Sequence, residues 1–199
     1  GGIGTDEGHK SFDEVAAGIA AAVDELLADP ARAAGVAGAI ANPATLERVA
    51  AARGLGRVVR DSAPLAEGRS ATPLIVAVDA ADEAAYGEER FGPIAFLVAV
   101  GDADEGIARA AALARRKGAI TAALYDTDEA RILRAADAFG RAGVNLSVNL
   151  TGNIFVNQSA AFSDFHVTGL NPAGNASLTD GAFVAGRFVR AMWRRPVAA

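Results

Sequence analysis

Two residues of this chain combine chemistry with a spacing that suits a polar ligand. They are Glu89 and Phe91, inside the stretch Glu88-Glu89-Arg90-Phe91-Gly92-Pro93. Pro93 fixes φ and has no N–H to donate, which suits the last residue before strand pairing begins. Gly92 permits a tight turn beside it. An apolar run over 94–100 follows, so the stretch is predicted to be a turn that delivers chain into a buried strand. An ionised carboxylate only accepts, and its two oxygens can take both hydroxyl protons of a ribose. A phenyl ring can hold the planar base attached to that ribose. The plainer explanation of the same residue types is a solvated acidic turn beside a core phenylalanine, because short motifs match by chance often.

Other catalytic arrangements find less support. His9 and His166 are far apart and no paired metal-ligand spacing exists, so no metal site is expected. Asp164 and His166 with Ser147 or Ser159 have the types of a hydrolase triad, but no nucleophile elbow accompanies them. The glycine-rich opening over 1–10 lacks the Gly-Lys-Ser/Thr ending of a phosphate loop, and no Gly-x-Gly-x-x-Gly follows any strand. Asn145, Asn149, Asn153 and Asn157 recur every four residues. In extended chain they would share a face and form a polar ladder for a ligand; turn and edge-strand chemistry is the favoured explanation, since Asn is a common turn residue.

Around these residues the chain is read as a regular α/β sequence. Segment 1–10 is expected to be a loop. Ser11 and Glu14 form a capping box for a helix over 11–28, with Val15, Ile19, Val23, Leu26 and Leu27 on one face. Asn42, Pro43 and Gly54 frame a second helix. A short strand is expected over 57–60, a surface loop over 61–72, and a strand over 74–78. After the strand at 94–100, Asp102 and Glu105 open a helix that closes on Arg115, Arg116, Lys117 and Gly118, with charges matching the helix dipole. A strand over 120–125, a helix capped by Thr127 and stopped by Gly143, and a strand over 144–150 complete the pattern. Strand–helix–strand units of this kind imply parallel strands, hence a three-layer α/β/α architecture with a mostly parallel open sheet. Beyond it, 159–176 is expected to be a long loop, Asp180 to cap a last helix, and 189–195 to be a terminal strand or a frayed helix.

Composition narrows the function classes. At 199 residues the chain suits one well-filled domain, and 51% hydrophobic residues with few aromatics point to alanine-rich helices. No apolar run approaches bilayer length, so no membrane partner is expected. A net charge of −5 argues against a nucleic-acid partner. The cysteine count is zero, which excludes disulfides, thiolate metal sites and a cysteine nucleophile in this chain and fits a cytoplasmic protein. The chain starts at Gly1-Gly2 without Met or a signal-like leader, and is expected to be a fragment. The sequons at Asn145, Asn149, Asn157 and Asn175 are then accidental matches.

Asn42-Pro43, Thr72-Pro73-Leu74, the Glu-Glu-x-Phe-Gly-Pro stretch and Ala142-Gly143-Val144 follow one another in an order that resembles the C-terminal, catalytic lobe of the aldehyde dehydrogenases. The resemblance covers nearly the whole chain and implies that 1–199 is a single catalytic-type domain, with 177–199 as an oligomerisation tail. Members of that family attack an aldehyde with a cysteine thiolate, pass hydride to a nicotinamide, and hydrolyse the thioester with water activated by a glutamate. The resemblance places that cysteine, the general base and most cofactor contacts upstream of Gly1. The chain alone is then inert, since losing a nucleophile can cost on the order of a million-fold in rate.

Carried over by resemblance, Glu89 holds the nicotinamide ribose of NAD or NADP and Phe91 packs near the nicotinamide. Phe162-Ser163-Asp164-Phe165-His166-Val167-Thr168-Gly169 matches the family segment Phe-Gly-Gly-x-x-x-Ser-Gly, which places Phe162 near the substrate tunnel. Here Ser163-Asp164 replaces two glycines and His166 the usual lysine. With Asn157-Gln158-Ser159 before it and Asn171-Pro172 after it, the segment resembles the phenylacetate-degradation branch (PaaN type), which oxidises a ring-opened, CoA-linked semialdehyde. The implied partners are a small-molecule aldehyde, a missing nucleotide-binding domain and, through the apolar face left bare, further copies in a homo-oligomer. That face is on the order of 600–1,500 Å² by analogy with inter-domain interfaces. The alternative is a free-standing, non-catalytic ribose- or nucleotide-binding module.

Overall fold

Ser11 starts the first long helix as its sequence requires: its hydroxyl accepts from the Glu14 N–H while the Glu14 carboxylate accepts from the Ser11 N–H at 2.7 Å. In the computed structural model, which describes residues 2–5, 8–65, 70–119, 121–151 and 193–195, this helix is α1 (Phe12–Leu27). The chain forms two compact units, Gly1–Asp102 and Ala103–Ala199.

The first unit opens with an antiparallel ribbon, β1 (Gly2–Thr5) and β2 (Gly8–Ser11), where a loop was expected. Its residues are almost all exposed, so the pairing rests on backbone hydrogen bonds and leaves no apolar alternation in the sequence. After α1 come α2 (Pro30–Val36) and α3 (Ala44–Ala52). Asn42 Oδ1 accepts the Ala44 N–H at 3.0 Å, so Asn42 serves the start of α3 as expected, with Pro43 just outside the helix. A single 3₁₀ turn, Arg53–Leu55, leads into β3 (Arg57–Arg60).

Strand β4 (Leu74–Asp79) lies between antiparallel β3 and parallel β5 (Ile94–Ala99). Leu74 to Val78 are all buried, as a strand covered on both faces requires. The core joins Leu74, Val76 and Val78 to Val49 and Ala52 of α3 and Ala85 of the short helix α4 (Glu83–Tyr86). Arg60 fastens α1 to this sheet: it donates to Asp24 at 2.8 Å and to the Pro73 carbonyl at 2.6 Å.

In the second unit α5 (Ala103–Lys117) leads to β6 (Thr121–Leu124), and α6 (Glu129–Ala142) crosses over to β7 (Asn145–Val148). The cap of α6 is Asp128, not Thr127: one Asp128 carboxylate oxygen takes the N–H groups of both Ala130 and Arg131. Gly143 ends the helix at φ 75°, a left-handed position that favours glycine. β7 pairs parallel with β6 and with β8 (Trp193–Arg194), so 193–194 is a strand. Ile107, Ala111 and Ala114 of α5 share a core with Ile132, Ala135 and Phe139 of α6 and with Leu146 and Val148. Small alanines at the meeting face let the two helices approach closely. Parallel pairing therefore dominates a mixed α/β fold, as the strand–helix alternation implied.

Candidate functional site

The turn that carries Glu89 and Phe91 is held at several points. Past α4, the Arg90 guanidinium turns back and donates to the Ala85 carbonyl through Nε and Nη2, both at 3.2 Å. Carbonyls at a helix C-terminus lack intrahelical partners, and a cation is favoured there. From α3, Arg48 Nε donates to the Phe91 carbonyl at 2.8 Å and its Nη2 to Thr45 Oγ1 at 2.9 Å. Gly92 has φ 156°, and a Cβ there would lie 3.1 Å from Thr45 Cγ2, so the turn packs tightly on α3. The Ile94 N–H donates to the Gly92 carbonyl around Pro93, and the Leu74 N–H to the Pro93 carbonyl, each at 2.8 Å.

This anchoring leaves the two side chains outside. Phe91 is 72% exposed and is not part of the core, which removes the plainer explanation of the ring. The Glu89 carboxylate is exposed, and among the described residues no hydrogen bond or ion pair engages it. An acceptor-only group and an aromatic face, two residues apart on a rigid turn, can take vicinal hydroxyls and an adjoining flat ring.

Register sets where this happens. Leu74 pairs with Ile94, so β4 and β5 begin together and the turn lies at their amino ends. Ligand crevices of open α/β sheets lie outside the carboxyl ends of strands, so these two side chains alone do not make a complete nucleotide site. An apolar cleft of about 220 Å³ borders Pro93, lined by Val23, Leu26 and Leu27 of α1 with Val36 and Ile40. It carries no charged side chain and offers a phosphate nothing.

The carboxyl ends of β6 and β7 hold a second polar cluster. Asn149, at φ 52°, accepts the Asp126 N–H through Oδ1 at 2.9 Å and donates Nδ2 to the Asp126 carbonyl at 2.8 Å. Burial pushes the Asp126 carboxyl up, but the Asp128 N–H, the Arg131 guanidinium at 2.7 Å and the Thr127 N–H together hold it below the usual range. A hydrogen bond from Arg195 likewise lowers Glu129. Every acid described here is already paired, so the cluster reads as a clasp. The strand ends at Val148 and Asn149 turns left-handed, so turn chemistry and not a ladder explains it; Asn153 and Asn157 lie outside the described residues.

Phe162 also lies outside the described residues, as do Ser159, Asp164 and His166. His9 is exposed on β2. Among the described residues no group of three His, Cys, Asp or Glu side chains could hold a metal ion, and no helix is long and apolar enough to cross a membrane. Sequence reasoning missed Arg48 and Arg90. Arg90 sits inside the motif and could have been suspected as a helix clasp; Arg48 is 43 residues from its acceptor and left no local signal.

The fold is mixed α/β, and in its first unit a Glu-x-Phe-Gly-Pro element leads into β5, which pairs in parallel with β4. The model of the aldehyde dehydrogenase family matches residues 9–176, and the chain belongs to that family of oxidoreductases. Among solved structures it is similar to the NAD-dependent aldehyde dehydrogenase from Burkholderia multivorans. The two share 48% identity and a TM-score of 0.80, over 94% of this chain and 34% of that one. The chain thus spans about a third of the length of that relative. No curated protein matches it.

Proposed function

We propose that the chain is the catalytic-type lobe, 1–199, of an NAD(P)-dependent aldehyde dehydrogenase whose nucleophile and nucleotide-binding domain lie on chain outside it. The observation that carries this reading is the exposed Glu89 carboxylate, engaged by no other described side chain, on an anchored turn. The NAD-dependent relative supports it.

In this reading Glu89 accepts from the two hydroxyls of the nicotinamide ribose and Phe91 packs against the ring beyond it. When bound, NAD or NADP supplies the hydride acceptor. Both residues are binding groups; no catalytic residue is assigned within the chain. Phe162 borders the aldehyde substrate. The Phe162-to-Gly169 variant, with Ser163-Asp164 in place of glycines, favours a ring-opened, CoA-linked semialdehyde of phenylacetate degradation. The isolated chain is inactive, works in the cytoplasm only as part of a homo-oligomeric protein, and uses 177–199 in assembly. The absence of any cysteine favours a second reading, a non-catalytic nucleotide-binding module.

The test is an assay of the complete gene product and of the isolated chain with NAD, NADP and a panel of aldehydes that includes CoA-linked semialdehydes. Aldehyde-dependent reduction by the complete product, with none by the chain alone, is expected. Absence of reduction by both, with nicotinamide mononucleotide bound by the chain alone, would establish the binding module instead.

A further inference from the structure

We propose that Arg48 is a positioning residue for the ribose-binding turn, acting on the cofactor through the Phe91 carbonyl without touching it. The inference rests on the reading that Glu89 takes the ribose. Two arginines fasten the turn, but they differ in reach. Among the described residues, Arg90 bonds to the carbonyls of Ala84 and Ala85, a few residues back in the same segment. Arg48 belongs to α3, whose Val49 and Ala52 lie in the core of the first unit. Ala85 lies in that core too, so Arg90 fastens the turn to the helix it has just left, while Arg48 ties it to a core helix 43 residues away in sequence.

The geometry gives Arg48 little freedom of its own. Its Nη2 bond to Thr45 Oγ1 at 2.9 Å orients the guanidinium, and Nε then meets the Phe91 carbonyl at 2.8 Å. Gly92, the next residue, packs on the same threonine, so the Phe91–Gly92 peptide is pinned on both sides. A carboxylate that takes two hydroxyls of one ribose must stand within about 0.5 Å of its working position. A turn free to wander must be ordered at binding, and that ordering subtracts from affinity. Arg48 keeps Phe91 and, two residues before it, Glu89 in place before the ligand arrives.

The experiment uses the complete gene product with three variants: Arg48→Met, which keeps the aliphatic stem, Arg48→Lys, and Glu89→Gln. Dissociation constants for NADH are read by fluorescence titration, beside KM for NAD, KM for the aldehyde, and Tm. Arg48→Met should weaken NADH binding and raise KM for NAD by roughly tenfold, the scale of one charge-assisted hydrogen bond. KM for the aldehyde should stay unchanged. Arg48→Lys, which can still donate to the carbonyl but cannot bridge to Thr45, should fall between. Added to Glu89→Gln, Arg48→Met should cost much less than it does alone, because both act on the same contact. Equal losses in every parameter together with a lowered Tm would make Arg48 merely structural and overturn the proposal. Weak NADH binding by Glu89→Gln beside unchanged binding by Arg48→Met overturns the proposal alone. Unchanged binding by Glu89→Gln overturns the ribose reading and the proposal with it.

Discussion

Asn149 offers a sharp test of how the second unit is held. Its side chain makes both hydrogen bonds of the Asp126 backbone, at 2.9 and 2.8 Å, and its own φ is 52°. Asn149→Ala removes both bonds, at about 1 kcal/mol each, and leaves a half-buried N–H and carbonyl to find other partners. It also forces a Cβ-bearing residue without a local hydrogen bond into the left-handed region, at about 1 kcal/mol more. Asn149→Gly loses the same two bonds but carries no left-handed penalty. The expected losses are therefore about 3 kcal/mol for alanine and about 2 kcal/mol for glycine. Urea unfolding of the 199-residue chain, followed by far-UV circular dichroism, reads both as midpoint shifts on the order of 1 M. Equal midpoints for the two variants would refute the strain argument. Losses under about 0.5 kcal/mol for both would refute the clasp itself.

Two further outcomes follow from burial and charge. The folded Asp126 carboxyl is held below its unfolded value near 3.9, so its stabilisation is present above about pH 4 and is lost as pH falls through the lower folded value. Asp126→Asn should therefore narrow the gap between urea midpoints at pH 6 and pH 3; an unchanged gap would show that this carboxylate is not part of the acid response. Phe91→Ala should change unfolding free energy by less than about 0.5 kcal/mol, since the ring is 72% exposed, whereas Leu74→Ala, at 0% exposure, should cost about 2–5 kcal/mol by the same urea measurement. A large loss for Phe91→Ala would place the ring in the core and remove its role as a ligand surface.

What could be read beforehand was what local chemistry encodes. The Ser11–Glu14 box, the αL glycine at 143 and the apolar runs that became β4 and β5 each carry their signal within a few residues. The short helices α2 and α4 are too brief for periodicity, although Asp29-Pro30 offered a cap and a first helical position that went unread. At the start of α6, Thr127 and Asp128 are both good caps, and only the geometry of the Ala130 and Arg131 N–H groups decides between them. The exposed ribbon β1–β2 has no buried face to imprint a pattern. For the candidate site, the residue types of Glu89 and Phe91 were legible, but their exposure was not. Nor was the arginine from α3 that holds their turn, because no spacing rule joins residues 48 and 91.

Whether the Glu89 carboxylate receives the two hydroxyls of the nicotinamide ribose is decided by the NADH affinity of the complete gene product with and without Glu89→Gln, at constant Tm. Exchanging a charged group with two acceptor oxygens for a neutral amide with one should raise the dissociation constant by about ten- to a hundredfold, the range of hydrogen bonds to charged groups. Identical affinity for the two proteins would contradict that contact.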